Sequence, residues 1–245
     1  MAGGEALTGC VALVTGGSGA IGAAICRSLA REGAAIAAGY RTRREPAEAL
    51  VAELAGAGGR ARAFGADLGE VDAAQHLVDA VEAELGPVDV LVANHGTGRR
   101  VQYEELDAEG FDRTLAINLR APFLLTQRVL PGMRERRFGR VLFVSSVAAF
   151  RGGVVGPDYA ASKAGLHGLA HFFASRVAPD GVTVNVLAPG VIETRMLPDR
   201  DQLLARMPMG RLGQPDEVAD LAVAMLRNPY VTSKVFSLDG GLYPR

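Results

Sequence analysis

The chain has no tryptophan, only two cysteines and, among its 26 basic residues, only two lysines, Lys163 and Lys234. The cysteines, Cys10 and Cys26, both lie in apolar stretches. They exclude a disulfide framework and a cysteine-built zinc site, and read as small core residues. No apolar run approaches the roughly 18 residues needed to span a bilayer. The first eight residues lack the basic and apolar regions of a signal peptide, so a cytoplasmic protein is expected. A net charge of −1 gives no bias toward nucleic acid or an anionic membrane surface. The lysine shortage is informative in another way. Arginine supplies positive charge at any accessible pH, whereas lysine is a compact ammonium whose pKa can be tuned. A lysine kept in an arginine-rich chain is therefore a candidate for chemistry that arginine cannot perform.

What is present is a globular composition, 49% hydrophobic and 22% charged over 245 residues. It fits one domain, since α/β folds run to about 250 residues as a single unit. Short apolar runs recur at Val11–Val14, Ala34–Ala38, Ala61–Phe64, Val88–Val92, Val141–Val144, Val182–Leu187 and Val235–Leu238. Several are apolar on both faces, as strands covered by helices on both sides must be. Helical stretches at Ala20–Arg31, Pro46–Ala57, Val71–Leu85, Asp107–Arg136, Asp158–Val177 and Pro215–Arg227 alternate with them. This order predicts an α/β, doubly wound parallel sheet of the Rossmann-like kind in a single domain, residues 1–245. Residues 195–215, with Pro198, Pro208 and Pro215, interrupt the pattern after a late strand, where a substrate lid is expected.

The first strand runs into Thr15-Gly16-Gly17-Ser18-Gly19-Ala20-Ile21-Gly22, which opens a helix. Gly17 to Gly22 fits G-x-G-x-x-G in the strand–turn–helix context of a dinucleotide site. Backbone N–H groups approach a pyrophosphate closely there, and the helix N-terminus adds partial positive charge. At the end of the second strand an NAD-specific enzyme places a carboxylate for the ribose 2′-hydroxyl. Here the segment is Gly39-Tyr40-Arg41-Thr42-Arg43-Arg44, with no carboxylate before Glu45. Arg41 is suited to a 2′-phosphate, which predicts a preference for NADPH with NADH as the alternative. Arg43 and Arg44 read more simply as a solvated helix start.

Tyr159 and Lys163 stand at i and i+4 on one helix face. A neighbouring cation stabilises a phenolate, so the pairing predicts a lowered phenol pKa and a usable acid/base. The spacing recurs at Tyr230 and Lys234, but in a β-branched, strand-like context. Strand Val141–Val144 ends in Ser145-Ser146, at the sheet edge where open α/β folds bind ligands. Ser146 there can hydrogen-bond a substrate carbonyl. The four histidines, His76, His95, His167 and His171, fit no hydrolase elbow. His167 and His171 have i, i+4 spacing but no third ligand, so no metal is expected and packed or interfacial imidazoles are.

Together these residues resemble the short-chain dehydrogenase/reductase family along essentially the whole chain, and most closely its 3-oxoacyl-ACP reductases. The family motif T-G-x-x-x-G-x-G is similar to Thr15–Gly22, with Ala20 in place of one glycine. Its N-N-A-G motif is similar to Ala93-Asn94-His95-Gly96, which implies a place for His95 near the cofactor ribose or the substrate mouth, filling space or, as the alternative, shaping substrate choice. The resemblance implies a catalytic set of Asn118, Ser146, Tyr159 and Lys163. It implies cofactor contacts from Gly16, Ser18, Gly19, Ile21, Gly22, Tyr40, Arg41, Asp67, Leu68, Asn94, Gly96, Tyr159, Lys163, Pro189, Gly190, Ile192 and Thr194. In the implied reaction a ketone is reduced: Tyr159 donates the proton, Ser146 holds the carbonyl oxygen, and Lys163 lowers the Tyr159 pKa and anchors the ribose. Asn118 holds a relay water. It further implies a homotetramer, a small-molecule or carrier-linked ketone substrate, and an acyl carrier protein as a candidate partner docking on Arg134, Arg136, Arg137 and Arg140. The alternatives are a free alcohol, sugar or secondary-metabolite substrate, or a non-catalytic nucleotide-binding regulator.

Overall fold

The computed structural model describes residues 7–193 and 200–243. Its strands are β1 (Val11–Thr15), β2 (Ala35–Tyr40), β3 (Ala61–Gly65), β4 (Val88–Ala93), β5 (Gly139–Val144), β6 (Val182–Pro189) and β7 (Val235–Leu238). They form one parallel sheet in the order β3-β2-β1-β4-β5-β6-β7. Helices α1 (Ala20–Arg31), α2 (Arg44–Gly56), α3 (Ala73–Leu85), α4 (Ala108–Leu115), α5 (Ala121–Glu135), α6 (Ala148–Arg151), α7 (Pro157–Val177), α8 (Arg200–Ala205) and α9 (Pro215–Arg227) accompany it. This is the doubly wound α/β architecture expected from the alternation of runs.

The period of two along each strand divides the side chains between two cores. Val11 and Leu13 of β1, Ala35 and Ala37 of β2, and Val141 and Phe143 of β5 face α3, α5 and α7. Ala12 and Val14, Ile36 and Ala38, and Leu142 and Val144 face α1 and α9. Every residue of β1, β5 and β6 is buried, which is why their sequences are nearly unbroken apolar runs. The chain winds from β1 outward through β2 to β3, then returns to set β4 on the other side of β1. That reversal opens a crevice at the carboxyl ends of β1 and β4, where Thr15 and Ala93 are paired.

The helix expected over 107–136 carries a defect. Asp107 caps α4, its carboxylate accepting from the Gly110 N–H at 2.8 Å. Between α4 and α5, residues Ala116–Arg120 widen into one π turn, with the Ala121 N–H bonded to the Ala116 carbonyl. Such turns occur often at functional sites, and Asn118 is at the centre of this one.

Of the expected lid, residues 195–199 lie outside the described residues, and so does Thr194, expected as a cofactor contact. Beyond α8 the chain returns to the body, with Met207 and Leu212 buried and Gly213 bridged to Ile192.

In the basic cluster at the end of α5, three arginines are exposed but engaged within the chain. Arg134 pairs with Asp180 at 2.6 Å and Arg136 with Asp89 at 3.1 Å, while Arg137 donates to the Pro179 carbonyl at 2.9 Å. Arg140 does not belong to a docking surface at all: it lies in β5, 5% exposed. Its guanidinium donates to the carbonyls of Leu226, Gly139 and Gly181 at 2.9, 2.8 and 3.1 Å. Arg140→Met is expected to destabilise the fold by about 2–3 kcal/mol, because buried carbonyls lose their donor. Urea unfolding measures this, and an unchanged midpoint would refute the structural role.

Candidate active site

The nucleotide turn is built around glycine and one amide. Gly16 has a left-handed backbone, φ +67°. A Cβ at Gly22 would lie 2.2 Å from the Gly16 carbonyl oxygen, so α1 packs directly on the turn only because position 22 is glycine. Asn94, leaving β4 beside β1, donates from Nδ2 to the carbonyls of Thr15 and Gly16 at 3.1 and 3.2 Å. Gly19 is the extended N-cap of α1, which makes Ala20 its first helical residue. A helical φ suits alanine, so the missing family glycine costs the turn nothing.

One cleft gathers the ends of four strands. It is lined by Gly16 and Ser18 of the turn, Tyr40 and Arg41 after β2, Asp67 and Leu68 after β3, and Gly96 after β4, all expected from sequence. His95 lines it too, and Thr15, Thr42, Arg43, Thr97 and Ile117, not expected as contacts, line it as well. Arg43 belongs with Arg41 here, whereas Arg44 starts α2 and pairs with Glu48 at 2.7 Å. Gly22 and Asn94 do not line it but hold the turn from behind, while Gly19 and Ile21 belong to the start of α1. Pro189, Gly190 and Ile192 extend the edge at the end of β6. The Pro189 carbonyl accepts from the Val147 N–H at 3.0 Å, tying the Ser146 segment to β6. Gly190 lets Asp239 approach to where a Cβ would stand 2.8 Å from its Cβ, and Ile192 is buried against the α1–α9 side.

Asn118, Ser146, Tyr159 and Lys163 converge beside this cleft. Tyr159 and Lys163 share a face in the first turns of α7, and the Ser146 hydroxyl lies near enough to the Tyr159 phenol to favour its anion. The Ser146 hydroxyl also accepts from the Ala148 N–H at 3.2 Å. Lys163 is 4% exposed, and its Nζ donates to the Val144 carbonyl at 2.9 Å. The π turn aims Asn118 at the same place: Oδ1 accepts from the Thr97 N–H, while Nδ2 donates to the Thr97 carbonyl and to Ser162. Two glycines bring the β4–α4 loop down on this group. A Cβ at Gly96 would stand 3.2 Å from Lys163 Nζ, and one at Gly98 would stand 2.8 Å from Tyr159 Cδ2. Gly98 was not singled out in the sequence, because a lone loop glycine carries no signal of what it touches.

The electrostatics correct one expectation. Burial pushes the Tyr159 phenol above its usual range, and the nearby Ser146 hydroxyl offsets only part of that. Lys163 does not pull it down in the free chain, because its Nζ is turned to the Val144 carbonyl and lies 5.8 Å from the Tyr159 ring centroid. Burial also drives the Lys163 ammonium down to about 8.

The second Tyr-x-x-x-Lys dissolves as a site. Tyr230 lies beyond the end of α9 and is 97% exposed, and Lys234 is exposed before β7. His167 packs tilted against Phe150 and approaches the Ser145 hydroxyl at 3.0 Å, while His171 reaches Ser233 at 2.9 Å. Among the described residues no group of three or more His, Cys, Asp or Glu is placed to hold a metal ion. No helix among them is long and apolar enough to cross a membrane.

Fold and site together define an oxidoreductase with a dinucleotide cleft running into a Ser–Tyr–Lys centre. The family model of the short chain dehydrogenases matches residues 10–203, and the chain belongs to that family. A nodulation protein G of Azospirillum brasilense is 38% identical over 240 residues, 95% of this chain and 97% of its own. An acetoacetyl-CoA reductase of Allochromatium vinosum is 36% identical over 95% of this chain and 98% of its own. A 3-oxoacyl-[acyl-carrier-protein] reductase of Thermotoga maritima is 37% identical over 96% and 98%. Among solved structures, a blue fluorescent protein from a metagenomic library in complex with NADPH superposes with a TM-score of 0.92 at 37% identity. That match covers 98% of this chain and 100% of the other.

The buried ammonium sets a testable stability signature. The folded chain gives up the Lys163 proton near pH 8, whereas an unfolded lysine keeps its proton to about 10.4. The penalty for burying the charge is therefore full below about pH 8 and is relieved as pH rises toward the unfolded value. Lys163→Met is expected to abolish activity while raising Tm at pH 7, with the Tm gap to the parent closing at higher pH. A Met variant less stable than the parent across that range would refute this account.

Proposed function

We propose that this chain is an NADPH-dependent reductase converting a ketone to a secondary alcohol, with 3-oxoacyl thioesters as the substrate class. It acts as a cytoplasmic homotetramer. The observation that carries the reading is the convergence of Ser146, Tyr159 and Lys163 beside the nucleotide cleft: Tyr159 and Lys163 share a face of α7, Lys163 donates to the Val144 carbonyl at the end of β5, and the loop at Gly96 and Gly98 closes on both. The residues present fit a nicotinamide dinucleotide. The glycine turn at Gly16 and Gly17 leaves no Cβ in the way of a pyrophosphate, Asp67 and Leu68 flank an adenine-sized slot, and Arg41 and Arg43 line the end where a 2′-phosphate would lie. The segment that leaves β2, Arg41 to Arg44, brings no carboxylate to this end of the cleft, which favours NADPH. A relative of known structure carries NADPH in this fold.

When bound, the reduced nicotinamide supplies the hydride. The chain does the rest. Ser146 donates to the ketone oxygen and stabilises the charge that develops on it. Tyr159 releases its proton to that oxygen; a phenol held above its usual pKa keeps this proton at neutral pH, which suits reduction. Lys163 faces the same centre as a point cation for the ribose hydroxyls, and Asn118 orients a relay of protons toward it. Thioester reductases similar along the whole chain support the substrate class. Two of the arginines at the end of α5 already hold carboxylates of this chain and a third is buried, which favours recognition of the thioester over docking of an acyl carrier protein. Half-exposed Leu119, Phe123 and Leu169, along the groove between α5 and α7, support assembly through these helices.

Steady-state reduction of acetoacetyl-CoA, the matching acyl-carrier conjugate and a panel of free ketones tests the reading. Thioester reduction is expected with kcat/KM for NADPH above that for NADH. Arg41→Ala is expected to cut that preference about tenfold, the scale of one charge-assisted hydrogen bond. A parent preference for NADH, or turnover confined to sugars or free alcohols, would overturn it.

Tyr159→Phe is expected to lower kcat by about 10²–10⁴ while NADPH still binds, seen as a change in its fluorescence. Near-parental turnover would remove Tyr159 as the acid.

A further inference from the structure

His95 does more than fill space. Its ring bridges the nucleotide turn and the π turn, with Nδ1 2.7 Å from the Thr15 hydroxyl and Nε2 2.9 Å from the Ile117 carbonyl oxygen. A carbonyl only accepts, so Nε2 carries the proton. Burial, with the Lys163 charge nearby, pushes the imidazole pKa down to about 3, so the ring is neutral and Nδ1 is an acceptor. The Thr15 hydroxyl is then the donor; its other acceptor, the Val92 carbonyl, is farther away at 3.3 Å. The directions along the bridge are fixed: Thr15 O–H to Nδ1, and Nε2–H to Ile117.

The Ile117 carbonyl needs that donor. In an α-helix it would accept from the Ala121 N–H, but the π turn gives that N–H to Ala116. The next candidate, residue 122, is a proline without an N–H. Neither helical donor is left, and the imidazole supplies one from outside the helix. One residue on, Asn118 makes its bonds to Thr97 and Ser162.

We propose that His95 is a positioning residue that replaces the missing helical donor at Ile117 and so locks the Asn118 turn to the nucleotide turn at Thr15. The inference rests on the reductase reading for its kinetic test and on the chain alone for its spectroscopic one. His95→Ala is expected to lower kcat about tenfold, the scale of one hydrogen bond in a catalytic scaffold, with KM for the ketone within about twofold. It is also expected to displace the pH profile of kcat, which simple loss of packing would not do. His95→Gln places an amide N–H the same number of bonds from Cα as Nε2 and is expected to restore most of kcat. Parental kcat and pH profile in His95→Ala, or a Gln variant no better than Ala, would overturn the proposal.

Nitrogen-15 NMR of the histidines in the unaltered chain decides the case even if the variants fail to fold. The charged groups around the ring are Lys163 from α7 and, in the cleft that the ring lines, Asp67 after β3 and Arg41 and Arg43 after β2. A neutral Nε2–H tautomer persisting from pH 8 to about pH 5 supports the bridge, whereas an Nδ1–H tautomer or an ordinary transition near ~6.5 refutes it. A chain that shows the tautomer but reduces no ketone would instead count against the reductase reading.

Discussion

The side-by-side exit of β1 and β4 is the constraint on which the site depends. Thr15 and Ala93 are register partners at the carboxyl edge of the sheet. The segments that follow therefore leave within hydrogen-bond reach of one another. Asn94 holds the carbonyls of Thr15 and Gly16, and His95 reaches the Thr15 hydroxyl. Had the chain wound without reversing, these two turns would stand at separate strands with no shared crevice. The reversal makes the glycine turn and the β4–α4 loop a single object, and that loop is what covers Lys163 and Tyr159 at Gly96 and Gly98.

The same crowding sets the electrostatics. Lys163 is buried because β5, α7 and the loop at Gly96 close around it, and its Nζ donates to a strand carbonyl. The phenol one turn earlier is raised for the same reason. Desolvation thus acts on both partners, disfavouring the ammonium and disfavouring the phenolate. A pair so arranged is poised with the proton on the phenol. Reduction needs that state, and oxidation must work against it.

Sequence periodicity was sufficient for the sheet, because strands buried on both faces leave continuous apolar runs and their helices leave amphipathic ones. It was sufficient also for choosing between two Tyr-x-x-x-Lys pairs, since Pro157 opens a helix and the residues around Tyr230 do not. It was insufficient for the π turn, whose cause is a local exchange of carbonyl partners that no hydrophobic period records. The loop glycine Gly98 was illegible for a related reason: its value lies in a contact with Tyr159, across the fold. Arg140 misled because charge at a helix end reads as surface, whereas here three carbonyls of neighbouring segments take the guanidinium inside.

Arg140 and Lys163 together show why an arginine-rich chain keeps a lysine. Both are buried cations, and both point at backbone oxygen. The guanidinium of Arg140 spreads its donors over carbonyls from three segments, a planar fork filling a wide gap between β5, the turn at Gly181 and the end of α9. The space at Lys163 is the opposite. Val144 offers one carbonyl, and the missing side chain of Gly96 leaves its Cβ position only 3.2 Å from Nζ. A fork of five N–H donors has neither the room nor the acceptors there, and its charge could not be tuned toward neutrality by burial. Lysine survives at position 163 because the site is narrow and its charge must be adjustable. At Lys234, exposed ahead of β7, neither condition holds.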